Sequence, residues 1–275
     1  MSKQRVFFAV VIAALEAVSV PTAQAAEPPP SCSGFLSVID RPTVEDSGCV
    51  VPPGKYDIEV GATAGGLYPA PGGTVYTMPE LTWRWGLPGN SELVWLLPNF
   101  QDEPVNGGPG AAAATARGFG PTTIGIKHVL GYATHWQWTA EALTTLPSGN
   151  STFGSRGTGG ALNAILGYGN GPLGVSLMVG ASSQTEPEAA GGRRFQSFNP
   201  DLVVTWASSS RLQIFGEIYS QSHSGYLQGW GTNADAGLQF LATPDLVLDL
   251  EEGVRIQGSL GGFSHYTGVG LGLMF

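Results

Sequence analysis

Residues 263–275 read F-S-H-Y-T-G-V-G-L-G-L-M-F. In an extended chain Phe263, Thr267, Val269, Leu271, Leu273 and Phe275 share one face, and Ser264, Tyr266, Gly268, Gly270 and Gly272 share the other. His265 interrupts the first face and Met274 the second. An apolar face, a small or polar face and an aromatic last residue suit a strand with lipid outside and a lumen inside. That is the pattern of the closing strand of a transmembrane β-barrel.

The same period of two recurs upstream. Tyr56, Ile58, Val60 and Ala62 alternate with Asp57, Glu59 and Thr63. Val75, Leu81, Trp83 and Trp85 alternate with Tyr76, Glu80, Thr82 and Arg84. A short run at 92–98 follows. Ile124 and Ile126 then alternate with Thr123, Gly125 and Lys127, and Trp136, Trp138, Ala140 and Ala142 with Gln137, Thr139 and Glu141. Further runs cover 160–168, 173–181, 197–206, 211–219, 231–241 and 245–255. Each is near the ~9–11 residues that a tilted strand needs to cross a bilayer.

Short connections at 86–91, 131–134, 169–172, 207–210 and 242–244 alternate with longer ones at 64–74, 99–121, 145–158, 182–196, 220–230 and 256–262. Transmembrane barrels have short turns on the periplasmic side and longer loops outside. The expected fold is therefore an all-β, up-and-down antiparallel barrel of about 12 strands over 56–275, monomeric, with both termini in the periplasm. Trp85, Trp136, Tyr168, Trp206, Phe240 and Phe275 all fall at the short-turn end or the C-terminus, as an aromatic girdle requires.

The N-terminus carries an address. Lys3 and Arg5 precede an apolar run, 6–20, broken only by Glu16 and Ser19, and Ala23-Gln24-Ala25 offers a small-x-small cleavage site. Residues 1–25 read as a secretory signal peptide. Residues 26–55, rich in Pro, Ser and Gly, read as an irregular segment, either periplasmic or tucked into the lumen. Cys32 and Cys49 lie within it and are expected to pair, since the periplasm is oxidising and no C-x-x-C spacing or nearby His suggests a metal.

Removing Lys3, Arg5 and Glu16 takes away a net charge of +1, so the stated −9 becomes −10. An acidic chain with 12% charged residues offers no surface for nucleic acid. The inward faces carry Asp57, Glu59, Glu80, Arg84, Lys127, Glu141, Asp201, Glu217, Asp235, Asp249, Glu251 and Arg255, nine carboxylates against three cations. A charge facing lipid costs several kcal/mol, which sends these side chains to the lumen. Two readings stay open there: an acidic path favouring cations or polar solutes, or a hydrogen-bonded, salt-bridged packing inside a narrow barrel. The selectivity candidates are Glu80, Glu141 and Asp249, unless Arg84, Lys127 or Arg255 neutralises them.

Chemistry of other kinds finds little support. No G-x-S-x-G and no zinc-type His spacing occurs, and neither a metal nor a cofactor is implied. Ser222-His223 and Ser264-His265 are neighbours, but adjacent strand residues point to opposite faces. A lipid-hydrolysing barrel and a purely structural barrel are the alternatives to a channel.

The stretch G-F-G-P-T-T-I-G-I-K, 118–127, and L-T-T-L-P-S-G, 143–149, carry a resemblance. With the C-terminal strand they resemble the family described as Putative MetA-pathway of phenol degradation. Its pattern has Asp where this chain has Pro121, Tyr where it has His128 and Thr where it has Ser148. The resemblance implies an outer-membrane barrel that transports small solutes, with hydrophobic or aromatic compounds as the implied cargo. It also implies that Phe275 is read by the outer-membrane assembly machinery, the other expected partners being membrane lipid and the cargo.

Overall fold

The structure is a computed structural model that describes residues 32–69, 73–105 and 114–275; the signal-peptide stretch 1–25 lies outside the described residues. Among these residues the strands are β1 (Tyr56–Leu67), β2 (Thr74–Leu87), β3 (Ser91–Leu96), β4 (Phe100–Val105), β5 (Ala114–Phe119), β6 (Thr123–Tyr132) and β7 (Trp136–Thr145). They continue as β8 (Gly160–Asn170), β9 (Leu173–Thr185), β10 (Arg194–Ala207), β11 (Leu212–Gln221), β12 (Gly231–Thr243), β13 (Leu246–Gln257) and β14 (Phe263–Met274). All pair antiparallel in one sheet, and β1 pairs with both β2 and β14, so the sheet closes. Beyond β14, Phe275 N–H donates to Tyr56 O at 2.9 Å, and Tyr56 N–H to Phe275 O at 3.3 Å. Closure leaves no strand edge in the bilayer with unpaired N–H and C=O groups.

The described strand segments make twelve staves. β3 pairs with one half of β2 and β4 with the other. Next to them β6 pairs with β3 and β5 with β4. The breaks fall at Leu97-Pro98-Asn99 and Gly120-Pro121-Thr122, where a proline has no N–H for the ladder. The connection 99–121, expected as an irregular loop, thus contains a paired hairpin extension. Phe100 and Phe119 face each other across it, ring centroids 5.2 Å apart.

A second difference concerns Tyr76, expected inward. The β1–β2 register shifts between Gly61 and Thr63, which places an extra residue on β2 near Met78 and Pro79. One inserted residue flips every side chain beyond it. Tyr76 therefore pairs with Ala64 on the outer face and is 49% exposed. Further register shifts fall near strand ends, at Gly66/Leu67, Val129/Gly131, Thr232/Asn233 and Leu241/Thr243, and Leu177, Leu202, Leu248, Leu250, Val269 and Leu271 stand outward and exposed. The short turn between β8 and β9 is Gly171-Pro172, and Gly171 takes a φ of 58°, which a tight hairpin requires. At the short-turn end Trp136 packs on Tyr168 at 4.7 Å, and Tyr56 stacks on Trp83 and Trp85 at 5.9 and 5.7 Å.

The described residues before β1, from Cys32 on, lie inside. Phe35, Val38, Ile39, Cys49 and Val51 pack with Val247 of β13 and Met274 of β14 into the apolar core. This core sits at the short-turn end, because both wall residues are next to that end of their strands.

Candidate functional site

The site is the lumen and what fills it. A short 3-10 helix, Phe35–Ser37, begins the inner segment, and a disulfide joins Cys32 to Cys49 against the side chain of Gln137. The barrel wall holds this segment largely by its backbone. Glu59 accepts the N–H groups of Asp40 (3.0 Å) and Arg41 (2.7 Å). Glu217 accepts those of Val44 (3.0 Å) and Glu45 (2.8 Å), and Glu92 that of Val51 (2.6 Å). Thr139 Oγ1 donates to Gly48 O and Gln239 Nε2 to Arg41 O, both at 2.5 Å. An irregular segment without a ladder of its own has its orphan polar groups met by wall side chains, as burial demands.

The walls near β2 and near β11 differ in charge. Around β1, β2, β3 and β6, the fully buried Arg84 pairs with Asp40 (3.1 Å), Asp57 (3.2 Å), Glu59 (3.0 Å) and Glu92 (2.9 Å). Lys127 Nζ lies 3.0 Å from both Asp40 and Glu92. Arg41 of the inner segment reaches Glu80 at 2.9 Å and Asp249 at 3.3 Å. Its guanidinium fits because Gly61 and Gly270 present no side chain, and Gly272 makes the same room for Ile39 and Phe35. On the wall from β7 to β9 Glu45 meets Ser176, and Glu141, next to Lys127 in the β6–β7 ladder, accepts from Asn163 Nδ2 at 2.8 Å. Burial, with Asp201 and Asp46 nearby, pushes the Glu45 carboxyl up to about 9. Burial and Glu141 likewise push Asp46 well up.

Between the segment and this second wall lies a cavity of about 1020 Å³. It opens among the short turns at Ala133, Pro172 and Ser209, and its inner end reaches Thr43, Glu45 and Phe215.

The structure places the sequence candidates as follows. Arg84, Lys127, Glu141, Asp201, Glu217, Asp235, Asp249 and Glu251 are buried within the barrel, and Glu80 is half-buried. Arg255 stands apart from the acidic positions at the loop end, its guanidinium 3.7 Å from the Tyr68 ring centroid. Arg41 neutralises Glu80 and Asp249, a role the sequence reading left to Arg84, Lys127 or Arg255. Asp40, Arg41, Glu45 and Glu92 were missed; Arg41 and Asp40 sit in a stretch without periodicity, which gives no facing signal. Ser264 Oγ and His265 Nδ1 lie 3.0 Å apart, and Ser222 Oγ and His223 Nδ1 3.3 Å, so these neighbours do meet. They do so where the strand begins or has ended, and the alternation argument does not reach there. Ser91 Oγ also meets His128 Nδ1 at 2.8 Å across β3 and β6. Among the described residues no carboxylate hydrogen-bonds to any of these histidines.

A closed antiparallel barrel with an apolar outer wall, an aromatic belt and a polar lumen is an outer-membrane β-barrel. Residues 39–259 match the family described as Putative MetA-pathway of phenol degradation, and the chain belongs to that family. No curated protein matches it. Among solved structures it is similar to the COG4313 outer membrane channel from Pseudomonas putida F1, with 14% identity, 85% of this chain and 100% of that chain covered, and a TM-score of 0.67. The NanC porin is similar at 15% identity, 79% and 98% coverage and a TM-score of 0.52. The KdgM porin is similar at 11% identity, 80% and 99% coverage and a TM-score of 0.51.

Proposed function

We propose that this protein is a channel for small solutes in the bacterial outer membrane, restricted by its own N-terminal segment, and not an enzyme. The observation that carries the reading is the docked segment beside an open cavity: residues 38–51 bond to the wall on several sides, yet about 1020 Å³ stays free next to them. β1 starts and β14 ends at the short-turn end, which in this class faces the periplasm, and this supports reading both termini as periplasmic. The family description makes hydrophobic or aromatic compounds the first cargo to test, and Phe275 at the seam with Tyr56 is the signal for assembly.

Purified protein in planar bilayers should give discrete current steps, and proteoliposomes should take up small solutes, aromatic ones included. A correctly assembled barrel that passes no ion and no solute tested would end the channel reading. Hydrolysis of a phospholipid, lost on Ser91→Ala or His128→Ala, would replace it with an enzymatic one.

A further inference from the structure

The acidic side chains in the lumen fall into two groups. Those near β2 are answered by Arg84, Lys127, Arg41 and backbone N–H groups. On β10–β13, Arg41 answers Asp249 and backbone N–H groups answer Glu217, but Asp201, Asp235 and Glu251 have no cation paired to them among the described residues. Glu217 of β11 stands directly opposite Asp235 of β12, both inward, and like charges directly opposite repel. Asp201 of β10 lies within electrostatic reach of Glu217, Asp235 and Asp46. Asp201 is 3% exposed; its carboxyl lies beside that of Glu217 and near the Leu202 N–H, and neither of its oxygens has a hydrogen bond of good geometry. Asp235 Oδ1 is equally unmet, as is Glu45 Oε2 of the inner segment. Tyr266 bends over Gly253, where a β-carbon would block it, and donates to Asp235 Oδ2 at 2.7 Å with Glu251 Oε2 at 3.3 Å. No ion pair of the described residues includes any of these acids, and the nearby Arg41 is already bonded to Glu80 and Asp249.

Buried carboxylates without partners are costly unless a cation or a proton joins them. The row begins at the inner end of the cavity, where Glu217 accepts the N–H of Glu45. The cavity from the short-turn side ends at Glu45 and Thr43, and Val44, beside them, is 48% exposed, so the tip of the segment borders open space. Glu217 holds the segment there through two backbone bonds.

We propose that Asp201, Glu217, Asp235 and Glu251 form a binding row for small hydrated cations, and that this row makes the channel prefer cations to anions. The described acids do not converge as direct ligands of one metal ion, so the cation keeps water. A row of carboxylates in a low-dielectric wall raises the local cation concentration and excludes anions. The proposal rests on the channel reading above.

The test is the reversal potential of the full-length protein in planar bilayers under a KCl gradient at pH 8. The expected wild-type preference for K⁺ over Cl⁻ is about tenfold. D201N/D235N should bring it close to unity, whereas E252Q, which changes an outward-facing exposed carboxylate, should leave it unchanged. A wild-type potential at zero or on the anion side overturns the proposal, as does an unchanged potential in D201N/D235N. Absence of any current would instead defeat the channel reading. Radioactive rubidium at equilibrium with the detergent-solubilised protein then decides the site: saturable binding lost in D201N/D235N supports it, and no saturable binding overturns it.

Discussion

The guanidinium of Arg41 occupies the space that a β-carbon on Gly270 would take, and the same guanidinium fills the space beside Gly61. The glycines of the closing strand are therefore a seat for the inner segment. Gly268 gives its space to Glu251, Gly270 to Arg41 and Gly272 to Ile39 and Phe35. From that seat Arg41 reaches Glu80 and Asp249, acids on β2 and β13 that flank the β1–β14 seam.

Filling the seat should release the segment. Gly270→Val displaces Arg41 and loses both charged hydrogen bonds, each worth about 1.5–3 kcal/mol. Amide hydrogen exchange at residues 38–45 should speed up at least tenfold, with single-channel conductance raised and the barrel still assembled. Unchanged exchange would show that Arg41 does not clamp the segment.

Docking should weaken as pH rises. The Glu45 carboxyl ordinarily titrates near 4.5 and is pushed up to about 9 when docked. The docked form thus keeps a proton that the released form gives up. Its contribution is complete below about pH 4.5 and is lost progressively up to about pH 9. The groups that face Glu45 are Asp46 on its own segment and Asp201, Ser176 and Lys127 on the wall; Asp46, also pushed up, adds in the same direction. Current through wild-type protein should increase over this pH range. Glu45→Gln, which carries no titrating proton, should flatten the profile; an identical profile in the variant would assign the effect elsewhere.

Arg84 joins the segment to the wall. It is fully buried among Asp40, Asp57, Glu59 and Glu92. Arg84→Met leaves these carboxylates without their main counter-ion, and breaking a buried pair in this way costs about 3–5 kcal/mol. The heat-induced unfolding midpoint in detergent should fall, and the segment should become accessible to protease. A variant as stable as wild type would mean that Lys127 and the backbone donors suffice.

The disulfide should act on the segment alone. Its ends are 17 residues apart, and closing a loop of that size restricts the released chain by about 3 kcal/mol in the chain-entropy model. Replacing Cys32 and Cys49 by Ser should speed exchange at 33–48 without moving the unfolding midpoint of the barrel. A drop in that midpoint would show that barrel and segment unfold as one unit.

Much of the barrel was legible in the sequence because a strand that separates lipid from lumen must alternate. Val269 and Leu271 against Gly268 and Gly270 give one wall position each. Tyr76 was misread because alternation cannot see the extra residue near Pro79. The hairpin of β4 and β5 was hidden because Pro98 and Pro121 look like ends of strands and are only breaks in them. The site was legible on one side. Asp201, Glu217, Asp235 and Glu251 have a strand period that aims them inward. Their counterparts Asp40, Arg41 and Glu45 belong to a segment with no period, and its place is set by side chains distant in sequence, such as Glu59, Glu217 and Thr139.

In the proposed channel, residues 32–55 restrict the passage and the barrel stands without them. The most direct test is single-channel conductance of the full-length protein beside a variant lacking 32–50, both refolded to heat-modifiable barrels. Conductance should be several-fold larger in the variant, with the aromatic belt and strand content unchanged. Equal conductance from two fully assembled barrels would contradict that restriction.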